Sequence, residues 1–184
     1  MKKIILTYGI ISGAVSIGVM IFTMTIAEGE VELSGMQWLG YLTMILALSL
    51  VFIGIKKYRD IEQGGVIRFG RAFIVGLGIT LVASVVYVVI WEINLALTDY
   101  AFIDNYAESV ISARQAEGAT EAEMADVIAM TEQAKARLGN PVFRVLITFT
   151  EIFPVGLLIS LISAALLRKN ELLPANPNPS KFTR

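Results

Sequence analysis

Glu151 has the residue type and position that could do chemistry in this chain. It is the only charged residue in 145–167, VLITFTEIFPVGLLISLISAALL, a run long enough to cross a bilayer. An ionisable side chain inside such a run is costly, usually faces a bundle interior or a wet cavity, and marks a candidate functional site. Pro154, three residues on, has no N–H to give the carbonyl of Thr150. A carboxylate beside a freed carbonyl, with the hydroxyls of Thr148 and Thr150 close by, has the local chemistry of an ion or proton path. A plainer role competes. Glu151 follows Arg144 by seven residues, about 10 Å along a helix. At that depth it could meet water near the interface, pair with Arg144, or accept a hydrogen bond from Tyr87 or Trp91. A structural polar clamp is the expected role, and a proton or ion pathway is the alternative.

Other chemistries are largely closed off. The 184 residues include no histidine and no cysteine. Zinc, haem and iron–sulfur sites draw mostly on those two residues, and Ser-His-Asp and Cys-His machinery requires them. Walker, G-x-S-x-G and H-E-x-x-H patterns are absent. Glu117, Glu121, Glu123 and Asp126 are acidic neighbours, but their spacing does not match a calcium loop, and they read as a solvated helix face. Acid–base catalysis normally needs a second positioned group, so the chain reads as non-enzymatic, with no catalytic residue, metal or cofactor expected. A net charge of −1 gives no reason to expect a nucleic-acid partner.

The elements that must position Glu151 are apolar helices. Hydrophobic residues make up 55% of the chain and charged residues 17%, against about 25% charged in soluble domains. Four uncharged or nearly uncharged runs are expected to be transmembrane helices, at about 4–27, 33–55, 72–97 and 143–167. The first could be taken for a signal peptide, but it exceeds the 7–15 apolar residues of a signal core. Trp38 and Tyr41 suit the membrane interface at the start of the second run. The fold class is therefore an all-α, four-helix membrane domain over 1–169, with a disordered tail at 170–184 rich in Pro, Asn and Ser.

Residues 98–140 form a polar excursion expected to be a helical hairpin. Ile103, Ala107, Val110 and Ile111 recur at helical spacing, and Gly118 breaks the pattern. Thr120-x-x-Glu123 fits a capping box. Lys135 and Arg137 close the second helix, and Gly139-Asn140-Pro141 is a stop signal.

Charge gives the orientation. With both termini in the cytoplasm, eleven of the fifteen basic residues fall inside and twelve of the sixteen acidic residues outside, as the positive-inside rule asks. Lys56, Lys57, Arg59, Arg68 and Arg71 form a basic, lipid-facing loop beside the second and third spans. Such residues hold a loop inside and attract anionic lipid. Small residues recur at four-residue spacing: Gly9 and Gly13 on the first span, Gly76 and Thr80 on the third, Gly156 and Ser160 on the fourth. They let membrane helices approach closely, here within the bundle in preference to between copies.

Several of these residues also carry a family resemblance. Tyr58-Arg59-Asp60, then Gly64-Gly65-x-Ile67-x-Phe69-Gly70, a long acidic loop, Asn140-Pro141-x-Phe143-Arg144 and Glu151-Ile-Phe-Pro-Val-Gly156 together resemble the bacterial membrane-protein family called domain of unknown function 4199. The resemblance covers roughly residues 4–169. It implies a bacterial inner-membrane protein with four spans, and it assigns no activity and no site residues.

Two functions stand out. One is a structural or partner-binding, regulatory bundle, whose partners would be the lipid bilayer, a membrane protein or further copies of itself. The other is a small transporter or ion-pathway subunit using Glu151.

Overall fold

A computed structural model describes residues 1–26, 33–169 and 173–174, with side chains at 1–25, 41–169 and 173–174. The acidic turn at 28–32, the side chain of Trp38 and the tail beyond 174 lie outside the described residues. Seven helices follow in order: α1 (Lys2–Ile26), α2 (Leu33–Leu48), α3 (Leu50–Glu62), α4 (Phe69–Leu97), α5 (Ala101–Ala116), α6 (Glu121–Leu138) and α7 (Pro141–Leu167). No strand occurs among the described residues.

Four stretches are long and apolar enough to cross a membrane: Lys2–Thr25, Tyr41–Glu62, Phe69–Leu97 and Pro141–Leu167. The second differs from the single helix expected at 33–55. It is divided at Ser49 and runs on to Glu62. The Ser49 hydroxyl donates to the Leu46 carbonyl at 2.6 Å, and the Ser49 amide is shared between Ile45 and Leu46. Such a hydroxyl bends a helix slightly, and the i→i−4 hydrogen bonds from Ser49 to Ile45 and from Ile53 to Ser49 persist across the step. Beyond the step, Lys56, Lys57 and Arg59 lie on α3 and not in a loop. The connection that remains, 63–68, turns through Gly64 and Gly65, whose φ values of 65° and 88° suit glycine.

α4 is the central element, packed between α1 and α7 and also against α3. Its buried face includes Val75, Gly76, Ile79, Thr80, Ala83, Ser84, Tyr87 and Trp91. At 29 residues it is about 43 Å long, more than the roughly 30 Å hydrocarbon layer, so its last turns carry Glu92 toward the hairpin. The interior is closed by Ile17, Leu48, Val51, Ile55, Ile79, Ile152 and Leu167, all fully buried. Many outward positions are also apolar, including Phe22, Leu46, Ile74, Val85, Leu146, Leu158 and Ile162. Apolar residues on both the inner and outer sides of helices mark a bundle that sits in lipid. The hairpin α5–α6 stands at one end of the bundle. At the other end, the segment after α7 meets α3.

Candidate functional site

Glycines let the spans close on one another. A β-carbon added at Gly9 would lie 2.6 Å from Val82, and one at Gly13 2.5 Å from the Ala83 carbonyl. These two positions join α1 to α4. One at Gly76 would meet Ile55 at 2.8 Å and Ser160 at 3.0 Å, and one at Gly156 would run into the Thr80 side chain. Thr80 and Ser160 share a buried hydrogen bond of 3.0 Å between α4 and α7, and Ser160 also donates to the Gly156 carbonyl. All six small residues therefore stand at helix–helix seams within one chain.

The most elaborate polar cluster lies where α4, α5, α6 and α7 meet. Its centre is Arg144, in the first turn of α7. Asn140 caps that helix, its side chain accepting from the amides of Val142 and Phe143, and Pro141 fills the first helical position, where a missing N–H costs nothing. The residues read as a stop for α6 thus also start α7. Arg144 is 6% exposed. Its Nε and Nη2 donate to the two oxygens of Glu92 at 2.8 and 2.6 Å, the two-pronged geometry that makes arginine–carboxylate pairs strong. Nη1 donates to the Leu138 carbonyl at 2.9 Å, which reaches the end of α6. The Tyr100 ring lies 4.9 Å from the guanidinium carbon, a cation–π distance.

Backbone conformation places that ring. Asp99 and Tyr100 have φ values of 49° and 60°, left-handed conformations that residues other than glycine adopt at a cost. The turn they make sends α5 back across the end of the bundle. There Phe102 meets Trp91 edge-on at 5.1 Å, and Asp104 on α5 receives Lys135 of α6 at 2.8 Å. An open cleft of about 400 Å³ remains, lined by Tyr100, Ile103, Asp104, Lys135, Gly139, Pro141 and Arg144. Both of its cations already face carboxylates, so the arrangement is suited to clasping the hairpin onto the spans. The pairing of Glu92, which lies near the end of the third span, with Arg144, which lies near the start of the fourth, was not read from the sequence.

Glu151 lies on α7 outside this cluster. Its side chain is exposed, and it forms no hydrogen bond or ion pair among the described residues. Each partner expected for it is engaged elsewhere. Arg144 holds Glu92, Tyr87 donates to the Met20 sulfur at 2.8 Å, and Trp91 packs on Phe102. The Thr150 hydroxyl donates to the Ile147 carbonyl at 2.8 Å. α7 continues unbroken through Pro154, which is exposed beside Glu151.

The five basic residues expected to form one lipid-facing loop separate at the opposite end of the bundle. Lys57, Arg68 and Arg71 are exposed and Lys56 is half-buried. Arg59 departs from the expectation, since it is fully buried. Its Nε donates to Asp60 at 2.7 Å, and Asp60 also receives Lys56. A further donor of Arg59 reaches the Leu173 carbonyl. Lys57 stands over the Tyr8 ring at 5.7 Å, and Arg71 donates to Gln63.

In the hairpin, the capping box forms. Glu123 accepts from the amide and hydroxyl of Thr120, each at 2.8 Å. Those hydrogen bonds hold the Glu123 carboxyl below its ordinary range, while Asp104 raises the pKa of Lys135.

Four apolar spans, a glycine-closed core and an end-on helical hairpin define a multi-pass, all-helical membrane protein. The family described as "Protein of unknown function (DUF4199)" matches residues 7–169, and the chain belongs to that family. Neither the curated proteins nor the solved structures include one that matches it.

Proposed function

We propose that the protein is a non-catalytic, partner-binding bundle of a bacterial inner membrane, with both termini in the cytoplasm and the α5–α6 hairpin on the outer face. The closed core carries this reading. Core side chains such as Ile17, Ile55, Ile79 and Ile152 are fully buried, a β-carbon has no space at Gly9, Gly13, Gly76 or Gly156, and the buried cations are held by carboxylates of the same chain. That construction suits a rigid platform better than a conduit. The hairpin meanwhile presents apolar side chains outward, with Tyr106, Ile128 and Met130 exposed at 50%, 44% and 71%.

The test is purification of the tagged chain from native membranes in mild detergent, with partners identified and the complex sized. A stoichiometric membrane partner that is lost on Met130→Asp or Tyr106→Asp, with the variants still folded, supports the reading. A chain that is always alone, or a pH-driven flux in reconstituted vesicles that Glu151→Gln abolishes, overturns it. Orientation is tested separately. Because the chain has no cysteine, a single cysteine replacing Ala119 should react with an impermeant thiol reagent from outside intact cells. A cysteine replacing Gln63 should not.

A further inference from the structure

We infer that the outward face of α7 around Glu151 is the seat of a transmembrane helix from a different protein, one that presents a lysine or arginine at that depth. The inference deepens the partner-binding reading above and rests on it.

Three observations combine. Glu151 is the only charge in the run 145–167, about 10 Å further along α7 than the Arg144–Glu92 pair. Its side chain is exposed and finds no hydrogen-bond or ionic partner among the described residues. The groups that could have compensated it, Arg144 and Tyr87, are turned to Glu92 and Met20. A carboxylate so placed faces hydrocarbon unless something covers it, and charged groups within spans nearly always pair or face a protein interior. This chain solves the same problem for Arg144 by giving it a carboxylate from another helix. Glu151 lacks the equivalent.

Charge complementarity identifies the occupant. A second copy of this chain offers Arg144 as the basic residue nearest this depth, and Arg144 is already held by Glu92 of its own chain. The cation must come from another protein's span. The surface around Glu151 is suited to receive one. Ile147 and Leu158, one turn before and two turns after it, are 48% and 59% exposed. Thr150 and Pro154 are exposed as well, and both are short enough to let a neighbouring helix approach.

The experiment places a photo-crosslinking amino acid at Ile147 or Leu158 in the full chain, in native membranes, with Val85 on the outward face of α4 as the control position. Adducts are mapped by mass spectrometry. The expected result is a transmembrane peptide of another protein containing a lysine or arginine, labelled from α7 and not from α4. Its yield should fall about tenfold or more in Glu151→Gln, which keeps the size of the side chain and removes its charge. Adducts only with lipid, only with another copy of this chain, or with a peptide lacking a basic residue would overturn the inference. So would a yield unchanged in Glu151→Gln, provided that variant elutes as the wild type does. If purification finds a hairpin-dependent partner while α7 labels only lipid, this inference fails and the partner-binding reading stands. The absence of any stoichiometric partner removes both.

Discussion

Among the described residues, the two buried arginines sit at opposite ends of the bundle and are held in different ways. Arg144 meets Glu92, 52 residues away on a neighbouring span, through a two-pronged pair. Arg59 meets Asp60, its neighbour in sequence, which also receives Lys56. The first arrangement ties one span to another and, through Leu138 and Tyr100, ties both to the hairpin. The second makes a local knot on α3 and takes a backbone carbonyl from the segment after α7. Both arginines reach across the chain, Arg144 to a carboxylate 52 residues away and Arg59 to a backbone carbonyl 114 residues away. The difference is one of redundancy. Asp60 keeps a cation when Arg59 is removed, whereas Glu92 loses its ion-pair partner when Arg144 is removed.

Substitutions should separate the two ends. Arg144→Ala should have the largest effect, a loss of about 3 kcal/mol, because removing one member of a buried pair leaves the other charge uncompensated. Reversible unfolding in mixed detergent would show it. Gly156→Leu should cost about 1–3 kcal/mol by forcing α4 and α7 apart. Gly18→Leu, where an added β-carbon meets nothing within 4 Å, should be close to neutral. Equal losses at the two glycines would break the packing account. Arg59→Gln should cost about 2 kcal/mol, because Asp60 keeps Lys56 while the Leu173 carbonyl loses its donor. A loss at Arg59 as large as at Arg144 would erase the contrast between the two ends.

The smallest effect is pH-dependent and lies in the hairpin. Hydrogen bonds from Thr120 lower the pKa of Glu123 below its ordinary 4.5. A carboxylate lowered on folding contributes stability above its unfolded pKa and loses it as pH falls through the folded value. Amide protection in the first turn of α6 should therefore be constant above about pH 5 and decline below about pH 4. Glu123→Gln should flatten that decline. Protection that rose on acidification would contradict the capping role.

Local signals were the legible ones. The spans could be read because a bilayer demands about twenty apolar residues in succession, and the capping box because its partners are three residues apart. The resemblance carried by Asn140-Pro141-x-Phe143-Arg144 and Glu151-Ile-Phe-Pro-Val-Gly156 agrees with the family match. The second span's step at Ser49 and its extension to Glu62 were not visible, since Ser49 could bond to water or a neighbour as readily as to Leu46, and Lys56 and Lys57 read as a loop by charge alone. The Arg144–Glu92 pair was hidden for a different reason. Its members are 52 residues apart, and Glu151, on the same helix as Arg144, offered a nearer partner. Only the packing of α4 against α7 decides between the two carboxylates.

A double-mutant cycle on Arg144→Met and Glu92→Met tests that decision most directly, with unfolding free energies measured for the wild type, both single variants and the pair. The pair should be more stable than the sum of the single losses implies, by about 2 kcal/mol. Losses that simply add, within about 0.5 kcal/mol, would mean that the two side chains do not hold one another and that the hairpin end is fastened in some other way.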